Sequence, residues 1–358
     1  MHIISLGLSH ESAPLAVRER LALSPASQAK LLAQLQMSGV PESAVVVSCG
    51  SIELFAAGPE PVDPTVLLNA LAAVSGEDRH FFEPSHREAR DAAAVQRLIR
   101  AATGLDAIVL GDPAIGRQVS KAWDRAVECG ASGNILGAVF QAAIEAARRV
   151  RSETALATGA QGLPQVTAAI IARAIDDLAG PRVIVVGAGD AAAQVVEALR
   201  SRTAADIVLL NRTRAHAERL AREHDATTEP LHRLPDLMSG SHALITAVSS
   251  PQPLVSESMV LRGALAPRRR PLIIADLGLP RAVHYDAARL PAVQYMDLDT
   301  IATLAAAMTN GRSSSIPDAE AIVKAESERV MASLTDATAA RVVTAPAKGT
   351  KSTRAPTG

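Results

Sequence analysis

The first apolar run, residues 2 to 8, predicts a short strand, and Ser24-Pro25 then opens a helix through Gln36, serine capping it and proline sitting in its first turn. Val45 to Ser48 reads as an apolar strand ending at Cys49, and apolar character resumes from Leu54 to Ala57. Helical patterns follow from about Asp91 to Thr103, Gln118 to Glu128 and Asn134 to Leu156; the last carries Arg148-Arg149-Val150-Arg151, a run that suits a solvated face. The pattern changes after Gly159-Ala160-Gln161-Gly162-Leu163. A helix from Gln165 to Ala179, a strand from Arg182 to Val186, a glycine turn, a helix from Ala191 to Ser201 and a strand from Asp206 to Leu210 make a βαβ unit with a helix before it. Ala243 to Ala247 and Leu272 to Ala275 extend the same sheet, and helices are expected from Asp297 to Met308 and from Asp318 to about Leu334, interrupted by GRSSSIP.

These elements predict an α/β protein in four parts: an amino-terminal α/β domain over 1–157, a Rossmann-type domain over 158–290, a short helical segment over 291–335 and a disordered tail over 336–358. The tail from Arg341 holds four basic residues and no acid among Ala, Thr, Pro and Gly.

Composition narrows the function. At 358 residues with 48% apolar and 20% charged residues, the chain has ample material for buried cores. Aromatics are only 2%, which argues against base stacking, and a formal charge of -1 offers no global attraction to a polyanion. Two cysteines cannot form a disulfide framework and have no paired metal-ligand spacing. No apolar window is long enough for a membrane span and the start lacks a signal-peptide pattern, so the expected location is the cytoplasm.

Gly187-Ala188-Gly189-Asp190-Ala191-Ala192 follows the strand RVIVV and opens a helix. Gly187 suits the tight turn, Gly189 lets backbone approach a pyrophosphate at the helix amino terminus, and Ala192 stands at the helix–strand contact. The next strand ends in Asn211-Arg212-Thr213-Arg214 where an NAD site would carry a carboxylate; Arg212 and Thr213 suit the 2′-phosphate of NADPH, or else the arginines face solvent.

Cys49 is either a small hydrophobe at a strand end or a nucleophile. Facing a hydride donor, its thiolate can take an acyl group as a thioester for reduction to an aldehyde. Cys129 lacks such a setting and is read as structural.

The chain resembles the glutamyl-tRNA reductase family. The likeness runs through Gly7-Leu8-Ser9-His10-Glu11-Ser12-Ala13-Pro14 with Arg18-Glu19, Thr103 to Pro113, Gln118-Val119, Phe140-Gln141 and Ala147 to Thr154. It continues in the glycine turn, Asn211-Arg212-Thr213, Ser249-Ser250-Pro251 and Asp276-Leu277-Gly278-Leu279-Pro280-Arg281, covering about residues 1 to 335. The resemblance implies a catalytic domain, an NADPH domain and a helical dimerisation domain on a long spinal helix, with Cys49 as nucleophile and Gly187, Ala188, Gly189, Asp190, Ala191, Asn211, Arg212, Thr213 and Ser249 at the cofactor. Ser9, His10, Gly50, Ser51, Glu53, Arg97, Ala107, Asp112 and Ala114 fall in the implied substrate pocket.

Several positions depart from the family. Its Cys-Asn-Arg-Thr-Glu is Cys49-Gly50-Ser51-Ile52-Glu53 here, so the arginine that grips the substrate carboxylate is a serine. The family histidine is Arg97, which restores a positive charge from another wall or is a surface residue; the serine after Gly-Leu-Asp is Ala107, Glu-Pro-Gln is Asp112-Pro113-Ala114, and the glycine of Ile-Leu-Gly-Gln is Arg117. GRSSSIP crosses the expected spinal helix, and the chain stops short of a full dimerisation domain, so any homodimer is expected to use a smaller or altered contact. Three readings follow: an NADPH-dependent reductase of a non-glutamyl aminoacyl-tRNA through a Cys49 thioester, a non-catalytic paralogue binding NADPH or tRNA, and a reductase of a carrier-bound thioester.

Overall fold

The computed structural model describes residues 1–157, 161–264, 270–308 and 313–344. The amino-terminal domain runs β1 (His2–Ser9), α1 (Leu15–Arg20), α2 (Pro25–Met37), β2 (Glu42–Val47), β3 (Ser51–Gly58), α3 (Pro64–Ser75), α4 (Arg79–Phe82), β4 (Arg87–Arg90), α5 (Ala92–Thr103), α6 (Ala114–Glu128) and α7 (Asn134–Glu153). Its four strands are ordered β2-β3-β1-β4, with every pair antiparallel. The sheet is covered on both faces. In β1, Ile4, Leu6 and Leu8 pack with α2 and α3 residues such as Leu31 and Leu67, while Ile3 joins Phe55 and Val46 in a core completed by α5, α6 and α7. Phe140 anchors that second core, stacking on Trp123 at 5.2 Å and meeting Phe55 edge-on at 6.0 Å.

The second face has a polar end. Ser5, Gly7 and Ser9 alternate with the apolar residues of β1, and Gly7 is the register partner of Glu53 on one side and Arg87 on the other. A row of small polar residues thus leads to the end of β3 nearest Cys49.

The second domain contains α8 (Leu163–Ile175), β5 (Arg182–Val186), α9 (Asp190–Arg200), β6 (Asp206–Asn211), α10 (Arg214–Glu223), β7 (Thr227–Pro230), α11 (Leu234–Ser239), β8 (Ala243–Thr246), α12 (Glu257–Ala264), β9 (Leu272–Asp276) and β10 (Val293–Met296). Its strands pair in parallel in the order β10-β9-β8-β5-β6-β7, which is the doubly wound order with the switch point beside β5. Strands buried on both faces explain the continuous apolar runs at Val183 to Val186 and Ala243 to Ile245. The α/β class and the Rossmann-type second domain stand as expected.

The carboxy-terminal part departs from expectation. After α13 (Leu298–Met308), α14 (Ile316–Thr344) folds against α5 and α7, with Ala319, Val323 and Val330 entering the amino-terminal core. Arg100 pairs with Glu320, and Arg149 bonds the buried Glu326 at 2.9 Å. Part of the Arg148–Arg151 run therefore holds this helix rather than facing solvent. Residues 309–312, within the expected interruption, lie outside the described residues, but Pro317 occupies the first turn of α14 and starts the helix instead of breaking it. α14 also continues past Leu334 through the alanine-rich TDATAARVVT, where neither glycine nor proline stops it; the expected tail is corrected to this extent, and residues 345–358 are outside the described residues.

Candidate active site

Cys49 lies in the tight turn joining β2 and β3, two residues past the end of β2. Ser48 builds the turn: its hydroxyl accepts from the amides of Gly50 at 3.1 Å and Ser51 at 3.0 Å and also bonds the Ser51 hydroxyl at 3.0 Å. Ser51 is thereby spent on the turn. A Cβ at Gly50 would stand 2.8 Å from Ile108, so Ile108 fills the space a side chain would need there.

Two hollows meet at this turn. The first, about 480 Å³, is lined by Ser9, His10, Cys49, Gly50, Ser51 and Glu53 together with Arg97, Ala107 and Asp112. The second, about 190 Å³, is lined by Cys49, Asp112 and Ala114 from the first domain and by Leu163, Asp190, Ala191 and Gln194 from the second. Cys49 and Asp112 belong to both. Every residue expected in the substrate pocket is thus gathered around Cys49, with Ala114 on the side toward the second domain.

Burial pushes the Cys49 thiol up to about 11, and the Asp112 carboxylate adds to the rise. Burial also raises Asp112, against the pull of the amides of Ala114 and Leu163. Those two amides begin α6 and α8: the Ala114 amide donates to the carboxylate at 2.8 Å, and the Leu163 amide faces it from the second domain. His10 is held below its ordinary value, chiefly by burial, and stays neutral near pH 7.

Glu53 and Arg97 form an ion pair at 2.5 Å on the cavity wall, and Arg97 also donates to the Arg87 carbonyl at 3.3 Å. Gly7 makes room for both, since an added methyl would overlap the Glu53 carboxylate and stand 2.8 Å from the Arg97 guanidinium. Burial pushes Glu53 up to about 7, with Arg97 pulling down and Asp106 pushing up. Arg97 thus stands on the cavity wall with its charge paired, partly open to solvent.

The sequence alone did not reveal the interdomain contacts. Arg18, 1% exposed, donates to the Ala13 carbonyl at 3.1 Å, to the Cys49 carbonyl at 3.3 Å and to Asp299 at the start of α13. Next to it, Glu19 takes a two-pronged bond from Arg281 at 2.5 and 2.7 Å. Arg18-Glu19 and Arg281 stood out as motif residues, but nothing in a linear pattern pairs positions some 260 apart.

The glycine turn fits a dinucleotide. Gly187 has φ +131, and a Cβ there would lie 2.5 Å from the Ala247 carbonyl; Gly189 precedes α9 with open space where its Cβ would be. Ala192 is fully buried at the helix–strand contact. Asn211, Arg212 and Arg214 line a separate hollow of about 260 Å³ at the end of β6, where Arg214 pairs with Glu218 and the Asn211 amide donates to the Thr213 carbonyl at 2.9 Å. The Ser249 hydroxyl donates to the Leu279 carbonyl at 3.1 Å. Among the described residues, no helix is long and apolar enough to cross a membrane and no cluster of metal-binding side chains occurs.

Two family models match the chain: the glutamyl-tRNA(Glu) reductase amino-terminal domain over residues 6–154 and shikimate/quinate 5-dehydrogenase over 169–304. Among curated proteins, "Glutamyl-tRNA reductase" of Deinococcus radiodurans is 30% identical over 90% of both chains. "Glutamyl-tRNA reductase 2" of Anaeromyxobacter sp. is 32% identical over 93% of this chain and 79% of its own. The solved glutamyl-tRNA reductase of Methanopyrus kandleri aligns with 95% of this chain and 82% of its own at a TM-score of 0.52 and 26% identity. With both domains matched in order and a relative 32% identical over 93% of this chain, this chain belongs to the glutamyl-tRNA reductase family.

Proposed function

We propose that the protein is an NADPH-dependent reductase of an aminoacyl group carried on tRNA, working through a thioester on Cys49 and taking an acyl group other than glutamyl. The observation that carries this reading is the place of Cys49, where a hollow in the first domain meets one reaching the start of α9. In the acylation step the Cys49 sulfur bonds the acyl carbon, the bond from that carbon to the ribose oxygen breaks, and the thiol proton passes to the ribose oxygen. Asp112 and neutral His10 are the bases lining the cavity for this transfer. NADPH, when bound at the glycine turn with Arg212 toward its 2′-phosphate, supplies the hydride that releases the acyl group as an amino aldehyde. Arg18 holds the carbonyl side of the Cys49 turn while its thiol is exchanged between protonated and acylated forms. Ser51 favours a non-glutamyl substrate, because a hydroxyl bonded to Ser48 offers no fork to a carboxylate.

A second reading, a non-catalytic paralogue that binds NADPH or tRNA, draws on the thiol raised to about 11. The deciding experiment follows NADPH oxidation with a panel of singly charged aminoacyl-tRNAs, beside Cys49→Ala and a carrier-bound acyl thioester. Turnover of a neutral aminoacyl-tRNA that disappears in Cys49→Ala is the expected result. Glutamyl-tRNA as the sole substrate refutes the specificity, activity on the carrier thioester alone refutes the RNA substrate, and silence with NADPH bound supports the second reading.

A further inference from the structure

Arg97 is the half-buried guanidinium that faces the acyl cavity from α5, and its charge is already engaged. The other arginine of the lining, Arg87, stands exposed on edge strand β4. Of the other acids lining the cavity, Asp106 is paired with Arg100, Glu88 with Arg90 and Asp112 with the Ala114 amide, and Glu11 is exposed. Glu53 alone reaches Arg97, and the bare Cα of Gly7 across the strand pair leaves the room that lets it do so.

We propose that Glu53 determines which acyl groups the cavity admits: it occupies the Arg97 guanidinium as an internal carboxylate, so the cavity receives an acyl side chain that carries no negative charge. This deepens the reading of the Cys49 cavity as the acyl site and makes Glu53 a specificity-determining residue. It follows that removing the internal carboxylate uncovers a carboxylate receptor a few side chains from the nucleophile. A dicarboxylic acyl group would then find at Arg97 the fork that Ser51 does not offer.

The test needs no turnover. Cys49 in the full-length protein is alkylated with iodoacetate and with iodoacetamide, nearly the same size but charged and neutral, and the modified peptide is quantified by mass so that Cys129 does not contribute. The ratio of the two rates, set against that of 2-mercaptoethanol, reports the charge an anion meets in the cavity. At pH 8.5 the wild-type ratio is expected below the reference and the Glu53→Gln ratio about tenfold above wild type. Arg97→Gln in the Glu53→Gln background should return it to the wild-type level.

The wild type carries its own control should the variant fail to fold. Glu53 takes up a proton as pH falls through about 7, releasing Arg97, so the ratio climbs between pH 8.5 and 6.5. The groups facing Glu53 from neighbouring elements are Arg97 on α5, Asp106 in the loop after it and the Ser5 hydroxyl on β1; burial holds His10, also on the cavity wall, below its ordinary value. In Glu53→Gln the climb through about 7 is lost. A wild-type ratio above the reference at pH 8.5, or one that does not move with pH, overturns the proposal. Movement of the ratio alongside a silent aminoacyl-tRNA panel would leave the cavity charge as inferred and remove the reductase reading instead.

Discussion

Cys49 shows what a single side chain gains and loses by its setting. Its place between two hollows gives it access to both an acyl group and the second domain, yet the same enclosure raises its thiol to about 11. Its alkylation by iodoacetamide should therefore rise about tenfold per pH unit from 7 to 10, without the plateau near 8.5 of an ordinary thiol. Asp112→Asn removes a charge that disfavours the thiolate and keeps an oxygen for capping, so at pH 8 it should speed alkylation several-fold; an unchanged rate would exclude Asp112 from the thiol's surroundings. Cys49 and its neighbours could be picked out beforehand because a turn keeps them adjacent in the chain. The Arg97–Glu53 pair could not, since it depends on α5 crossing the sheet at the height of Gly7.

Among the elements, α14 illustrates how propensity and packing divide the work. Pro317, expected to interrupt a helix, instead begins α14, and the destination of that helix depended on its apolar positions finding α5 and α7. Val323 is fully buried in that contact, and Glu326 accepts from Arg149 and Arg329. Val323→Asp places an unpaired charge in the core and should lower the unfolding free energy by about 3 kcal/mol or more in urea titration, with early proteolysis within α14. Glu326→Gln keeps a hydrogen-bonding shape and should cost only about 1 kcal/mol. Equal losses in the two variants would mean that the helix is held by charge rather than by its apolar ridge. The βαβ unit, by contrast, was legible strand by strand, because parallel strands buried on both faces carry unbroken apolar runs.

For the whole molecule, the decisive contacts are those that join the domains. Leu15 and Val109 from the first domain enter the core of the second, and Arg281 grips Glu19 with both side chains largely buried. Truncating one partner of such a pair costs about 2 to 5 kcal/mol because the other is left without its counter-charge. Arg281→Ala should consequently loosen the junction, read as faster hydrogen exchange in α1 and at the start of α13 with the strands of both sheets unchanged. Protection lost throughout both domains would instead make Arg281 a general stability residue.

The carboxylate of Asp112 begins α6 on one side of that junction and faces the first amide of α8 on the other. A carboxylate set between two domains senses their alignment: drawing the Leu163 amide away removes one of the influences that hold it down, and less of its charge then stands beside the sulfur. The reactivity of Cys49 thereby carries a record of how the two domains are docked.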